Sequence, residues 1–292
     1  MSYFFIINPN AGKKRGDIAA LIKTAFFPGK THYEIQFTNA RGHARELAAR
    51  AVMDGFRNVV AVGGDGTIRE TASALAGKSS VLGIIPRGSG NGLARNLYLP
   101  LDAAACLRGL FEWPDRFIDA GLANGELFLC AAGVGLDAEV ARSFNAGRSR
   151  RGILPYVYHG ALQFFKYRPL NMAAVFNSRR EEFAPLVAAV LNGRQYGGGA
   201  QIAPDAYLDD GLLDLAIVRK TGLLKTLAAL PDLFNGRLAS HTELVSYHKS
   251  RAFEFHLPKG SAYHLDGEDF VCESGTLKIA VLPKALKVKA PL

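Results

Sequence analysis

The chain has 292 residues, 49% of them hydrophobic and 21% charged, which excludes a disordered chain and allows one large domain or two ordinary ones. Its 35 Lys+Arg against 26 Asp+Glu leave a formal charge of +9, a basicity that suits nucleic acid, anionic lipid headgroups or phosphorylated ligands, and equally a surface tuned for solubility. Three scattered cysteines, Cys106, Cys130 and Cys272, fit neither a metal site nor a disulfide framework, no run approaches the roughly 18–20 apolar residues that span a bilayer, and the first residues lack the charged start of a signal peptide. The expectation is a cytoplasmic protein whose membrane contact, if any, is peripheral.

Phe4-Phe5-Ile6-Ile7 reads as a buried first strand and stops at the turn-rich loop Asn8-Pro9-Asn10-Ala11-Gly12-Lys13-Lys14. Asp17 leads a helix through Phe27, ended by Pro28-Gly29. Residues 33–37 alternate as a strand, Thr38 follows, and 42–53 carries Leu47, Ala48 and Val52 at helical spacing. Residues 58–62 form a third strand that runs into Gly63-Gly64-Asp65-Gly66-Thr67, with a helix predicted over 67–75. Glycines let a ligand approach main-chain N–H groups, and a helix start favours a phosphate; a plain strand-turn-helix corner explains the same residues. A fourth strand, 81–85, enters Pro86-Arg87-Gly88-Ser89-Gly90-Asn91-Gly92. Four strands alternating with helices predict a parallel, doubly wound sheet with right-handed crossovers. Such sheets bind ligands at the C-terminal ends of their strands, where all these loops and Thr38 would converge.

From about Asp115 the texture changes. Residues 127–132, 172–176, 186–191, 212–218, 252–257 and 276–282 read as strands without a helix between each pair. That predicts a second, largely antiparallel β domain, with helical insertions over 155–167 and the leucine-rich 223–233. Arg148-Ser149-Arg150-Arg151 is a basic run and reads as a solvated loop or an anionic-membrane contact.

Acidic residues gather at Asp205, at Asp209-Asp210-Gly211 with Asp214, and at Asp266-Gly267-Glu268-Asp269. Asp-Gly is an ordinary turn. Two carboxylates flanking a glycine also suit Mg²⁺, which takes oxygen ligands, or proton removal from an attacking hydroxyl. No Walker motif, GxGxxG, metal-ligand spacing or Ser-based triad is present. His264 reads as structural or as a partner of the Asp266 loop.

Taken together, Asn8-Pro9-Asn10-Ala11-Gly12, Gly63-Gly64-Asp65-Gly66-Thr67, Pro86-Arg87-Gly88-Ser89-Gly90-Asn91, Asp209-Asp210-Gly211 and Leu265-Asp266-Gly267-Glu268 resemble, in order, the diacylglycerol kinase catalytic-domain family. That family includes soluble bacterial lipid kinases and the sphingosine and ceramide kinases. The resemblance implies an α/β domain like those of phosphofructokinase and NAD kinase over 1–118, with 284–292 returning to it. A β-sandwich lipid domain follows over 119–283. It implies ATP held by Asn8, Asn10, Thr38, Gly63, Gly64, Asp65, Gly66, Thr67, Ile68, Arg69 and Ser89. It further implies structural Mg²⁺ at the Asp210 carboxylate and main-chain oxygens near Tyr207 and Leu212, and a general base at Glu268, with Asp266 the rival. The partner is then a lipid at a membrane surface, met peripherally; a homodimer is allowed, and no nucleic acid is expected. Arg69 stands where many bacterial members have Asn, and Gly88-Ser89-Gly90-Asn91 is closer to sphingosine and ceramide kinases. An NAD-kinase-like activity and a non-catalytic nucleotide- or nucleic-acid-binding protein are the alternatives.

Overall fold

The computed structural model describes residues 1–12, 17–26, 31–146, 164 and 166–291. The basic run at 148–151 and most of the expected insertion at 155–167 lie outside them. The chain forms two compact units, Met1–Ile118 with Lys284–Leu292, and Asp119–Pro283.

In the first unit, β1(Ser2–Ile7), β2(His32–Phe37), β3(Asn58–Gly63) and β4(Val81–Pro86) pair in the order β2-β1-β3-β4, all parallel. The end of β16(Thr276–Lys289) adds beside β4, also parallel, through Lys287 and Val288. β1 is apolar on both sides because helices cover both. Tyr3, Phe5 and Ile7 pack with Ile18, Ile22 and Phe26 of α1(Ile18–Phe26) and with Cys106, Leu107 and Leu110 of α5(Ala103–Glu112). On the opposite side, Phe4 meets the ring of Phe56 and the guanidinium of Arg50 from α2(His43–Met53). α3(Asp65–Leu75) lies beside α2, and the short α4(Gly92–Asn96) follows β4.

The helix expected from Thr67 begins two residues earlier, at Asp65. Gly64 is extended (φ −89°, ψ −175°) and already accepts from the Ile68 N–H. α2 has a left-handed Gly42 at its start and no cap of its own. Glu70 of α3 supplies one, accepting from the N–H groups of Gly42 and Ala44 at 2.8 and 3.2 Å.

The second unit is a sandwich. One sheet has six strands in the order β12(Val245–Ser250), β11(Leu213–Arg219), β10(Pro185–Leu191), β7(Ala131–Gly135), β14(Ser261–Leu265), β15(Glu268–Cys272). The other runs β16, β13(Ala252–His256), β8(Met172–Phe176), β9(Arg179–Phe183), all antiparallel. Alternate residues of both sheets, among them Val134, Val190, Leu215 and Leu265 against Phe176, Phe253, Phe255 and Ile279, fill one core. Residues 127–132, expected as one strand, split into the end of β6(Glu126–Phe128), which pairs with β5(Asp115–Ala123), and the start of β7. The break falls at Leu129 and Cys130, whose N–H groups are taken by the Asp266 carboxylate instead of a strand partner.

α6(Leu136–Ala146) packs on β14 and β15. α7(Leu223–Phe234) covers the outer side of the six-stranded sheet through Ala229, which joins Leu191, Ala216, Leu238 and Leu244.

Candidate active site

Three loops of the first unit meet at the C-terminal edge of its parallel strands. The Asn8 N–H donates to Val62 O at 3.0 Å, and the Thr38 N–H to Ile7 O at 2.9 Å, fixing the ends of β1, β2 and β3. The Asn8 side chain then works twice: its Oδ1 accepts from the Asn10 N–H (2.9 Å) and its Nδ2 donates to Thr67 Oγ1 (3.2 Å). A Cβ at Gly63 would lie 2.6 Å from the Thr67 side chain, so glycine is required for that threonine to sit where it does.

The two glycine loops press backbone on backbone. A Cβ at Gly88 would be 2.7 Å from Gly64 Cα. Asp65 turns its carboxylate to the neighbouring loop, accepting from the N–H groups of Asn91 (2.9 Å) and Gly92 (2.7 Å). Asn91 has φ 50° and clasps Gly88 reciprocally, accepting from its N–H at 2.8 Å and donating to its carbonyl at 2.9 Å. With Asp65 so engaged, the main-chain N–H groups of Gly66 and Thr67 lie ahead of the first intrahelical bond, where the positive end of the helix favours an anion. The Ile68 side chain is fully buried and Arg69 is buried on the same helix. Ile68 can therefore meet a ligand only through its main chain. Ser89 is exposed between β4 and α4.

In the second unit, Asp266 (φ 49°) and Gly267 (φ 84°) form the two-residue loop between β14 and β15, with Leu265 paired to Glu268. Two left-handed residues in a tight hairpin are what Asp-Gly supports. The Asp266 carboxylate also accepts three main-chain N–H groups, from Leu129 (2.8 Å), Cys130 (2.8 Å) and Ala131 (3.0 Å). A carboxylate committed to three donors is anchored and is a poor proton acceptor. Glu268 opens β15 and is half-buried.

The Asp209-Asp210-Gly211 turn is tied to the same place through residues that the motifs did not single out. Buried Asp119 accepts from the Gly211 N–H at 2.7 Å, and its own N–H donates to Leu208 O at 2.6 Å. Buried Asn192 donates from Nδ2 to the carbonyls of Asp119 and Leu129, both at 2.9 Å. A continuous hydrogen-bonded path thus joins the Asp210 turn to the strand start held by Asp266. The only sequence sign of it is a polar residue inside each of two apolar strands or strand ends.

Lys249 Nζ lies 3.0 Å from Asp214 Oδ2, 3.1 Å from Asp205 O and 3.4 Å from Asp210 Oδ2. Burial opposes its charge, but Asp214 and Asp210 outweigh that and raise the ammonium above its ordinary value. Burial likewise raises the Asp214 carboxyl, with Lys249 pulling it part of the way back. At 3.0 Å the contact is an ion pair at neutral pH. Among the described residues no group of three His, Cys, Asp or Glu side chains is disposed to hold a metal. The set that the resemblance implies is of another kind: the Asp210 carboxylate with the main-chain oxygens of Tyr207 and Leu212. Asp210 Oδ2 has only the longest of the three lysine contacts, and Oδ1 takes the Leu212 N–H at 3.0 Å. This oxygen-only chemistry fits a hard cation.

The family described as diacylglycerol kinase catalytic domain matches residues 2–123, and the YegS C-terminal NAD kinase beta sandwich-like domain matches 130–290. A Chromohalobacter salexigens protein named "Probable lipid kinase YegS-like" is 33% identical over 265 residues, covering 89% of this chain and 84% of its own. A Mycobacterium tuberculosis protein named "Diacylglycerol kinase" is 35% identical over 257 residues, covering 85% and 81%. The fold is shared with a crystal structure of a Bacillus anthracis diacylglycerol kinase, at a TM-score of 0.75 and 20% identity over 99% of this chain and 96% of that one. With the glycine loops, the sandwich and the Asp-Gly-Glu hairpin in place, the chain belongs to the diacylglycerol kinase catalytic-domain family.

Proposed function

We propose that this lipid kinase moves the γ-phosphoryl group of ATP to a primary hydroxyl of a diacylglycerol, or of a related glycerolipid or sphingoid, with Glu268 as the proton acceptor. The observation that supports the assignment is the commitment of Asp266 to three N–H donors, a structural role for the first carboxylate of the Asp-Gly-Glu motif; the reading gives the proton to the second, Glu268. Asp266 is the anchor of the hairpin that presents it. Asn8, Asn10, Thr38, Gly63 to Arg69 and Ser89 bind the nucleotide, with the N–H groups at the start of α3 directed to phosphate. Positioning and charge neutralisation supply most of the acceleration in this chemistry. Asp210 and the main-chain oxygens of Tyr207 and Leu212 would hold Mg²⁺, which there supplies positive charge that braces the turn.

A lipid substrate brings the enzyme to a membrane surface, and no described helix is long and apolar enough to cross one. α7 supports peripheral contact. Its outward side carries Leu224, Leu227, Leu230 and Phe234, with Leu224 83% exposed.

The test is radiolabelled ATP with mixed vesicles of diacylglycerol, monoacylglycerol, sphingoid and phosphatidylglycerol. Wild type forms a labelled lipid. Glu268→Gln folds with an unchanged melting temperature and loses activity by about 10²–10⁴-fold. Asp266→Asn melts lower, having weakened charge-assisted hydrogen bonds worth about 1.5–3 kcal/mol. Absence of labelled lipid from wild type across the panel rejects the reading, and NADP formation instead would favour an NAD kinase.

A further inference from the structure

Behind the Asp-Gly-Glu hairpin lies a buried polar group that the kinase motifs do not include. His264, on β14 two residues before Asp266, is 1% exposed. Its Nε2 is 3.0 Å from Asp137 Oδ2 on the first turn of α6, and the Tyr196 hydroxyl donates to the same oxygen. On its other side, His264 Nδ1 is 3.3 Å from the Gly267 N–H at the hairpin tip.

The donor pattern fixes the imidazole. A main-chain N–H can only donate, so Nδ1 is the acceptor and the neutral ring carries its proton on Nε2, which donates to Asp137. Asp137 thus orients the ring and selects the tautomer that can hold Gly267. The space for this was made in the backbone. Gly133 on β7 is the cross-strand partner of His264. A Cβ there would lie 2.2 Å from Asp137 Oδ2, 2.4 Å from His264 Nε2 and 2.7 Å from the Tyr196 hydroxyl. The three side chains converge on the volume that glycine leaves open.

Resting on the lipid-kinase reading, we propose that His264, set by Asp137, is a positioning residue for Glu268. Two anchors matter here: Asp266, whose carboxylate accepts from residues 129–131 and whose own N–H donates to Ala131 O at 2.9 Å, and His264, which holds the N–H of Gly267, the residue before Glu268. With only the first anchor, a two-residue turn can still rock about Asp266, moving the Glu268 carboxylate. Misplacement by about 1 Å costs on the order of a hundredfold in rate.

Three variants separate this role from packing. His264→Asn puts an amide oxygen where Nδ1 stood, within reach of the Gly267 N–H. His264→Gln places its amide at the far nitrogen, and His264→Leu fills the space without an acceptor. The expected result is that Leu and Gln lower kcat about tenfold to a hundredfold with KM for ATP unchanged, whereas Asn recovers most of kcat even if its melting temperature falls as far as theirs. The ¹⁵N–¹H signal of Gly267 gives a readout independent of turnover: its hydrogen-exchange protection falls in Leu and Gln and persists in Asn. Unchanged protection in Leu, or equal kcat across all three, overturns the proposal. A wild type that labels no lipid overturns the kinase reading instead, and the Gly267 signal then decides the anchoring alone.

Discussion

The carboxylate of Asp65 accepts from the main-chain N–H of Gly92 at 2.7 Å and from that of Asn91 at 2.9 Å. The central acid of the Gly-Gly-Asp-Gly-Thr loop is therefore a strut between two glycine loops. It sits at the positive end of α3 but is turned aside to the neighbouring loop.

Asp65→Ala leaves those two N–H groups without their acceptor. The expected cost is about 1–3 kcal/mol of stability, read as a lower urea midpoint, together with weaker ATP binding by calorimetry. Asp65→Asn retains one acceptor and falls between. Weaker ATP binding at unchanged stability in Asp65→Ala would mean that the carboxylate serves the nucleotide directly.

The return of the chain end to the first unit makes a pH prediction. Asp115 forms ion pairs with Lys289 and with Arg57, each at 2.8 Å. Burial pushes its carboxyl up, but Lys289, Arg57 and Lys287 prevail and hold it below its ordinary value of 3.8. A carboxyl depressed in the folded state contributes stability above its unfolded value and loses it as pH falls through the folded one. Asp115→Asn is therefore less stable than wild type at pH 7 and at pH 5, and the gap closes progressively below about 3.8. Urea unfolding at pH 7, 5 and 3 measures it, and a gap that widens in acid contradicts the assignment.

On the proposed reading, Mg²⁺ at the Asp210 turn competes with the Lys249 ammonium, 3.4 Å from Asp210 Oδ2, for one carboxylate. Magnesium at a hundred times its dissociation constant stabilises by about 2.7 kcal/mol, seen as a rise in melting temperature over an EDTA control. Asp210→Asn abolishes that rise. Lys249→Met lowers stability in EDTA, since Asp214 is buried, and enlarges the gain from Mg²⁺. A rise that survives Asp210→Asn places the ion elsewhere.

Local pattern carried much of the fold. The apolar runs of β1, β3 and β4 read as buried strands of a parallel sheet, and Asp266-Gly267 read as a turn that could also carry chemistry. The roles of the acids were not legible. Asp266 finds its donors 135 to 137 residues away, and Asp119 meets Gly211 at a separation of 92. Neither distance leaves a periodic trace. The same holds for α7, where leucine spacing specifies a helix but not which side the sheet covers.

The sequence by itself determined which residue types are brought to the loops: glycines that let backbone approach backbone, and carboxylates on turns that keep them off the apolar core. Only the tertiary structure decided how those carboxylates divide the work. A carboxylate's basicity depends on its donors and its burial, and both are set by strands that come together from distant parts of the chain. Asp65 and Asp266 are bound to main-chain N–H groups and serve as struts, and Asp214 and Asp210 answer to Lys249; the proposed base, Glu268, opens β15.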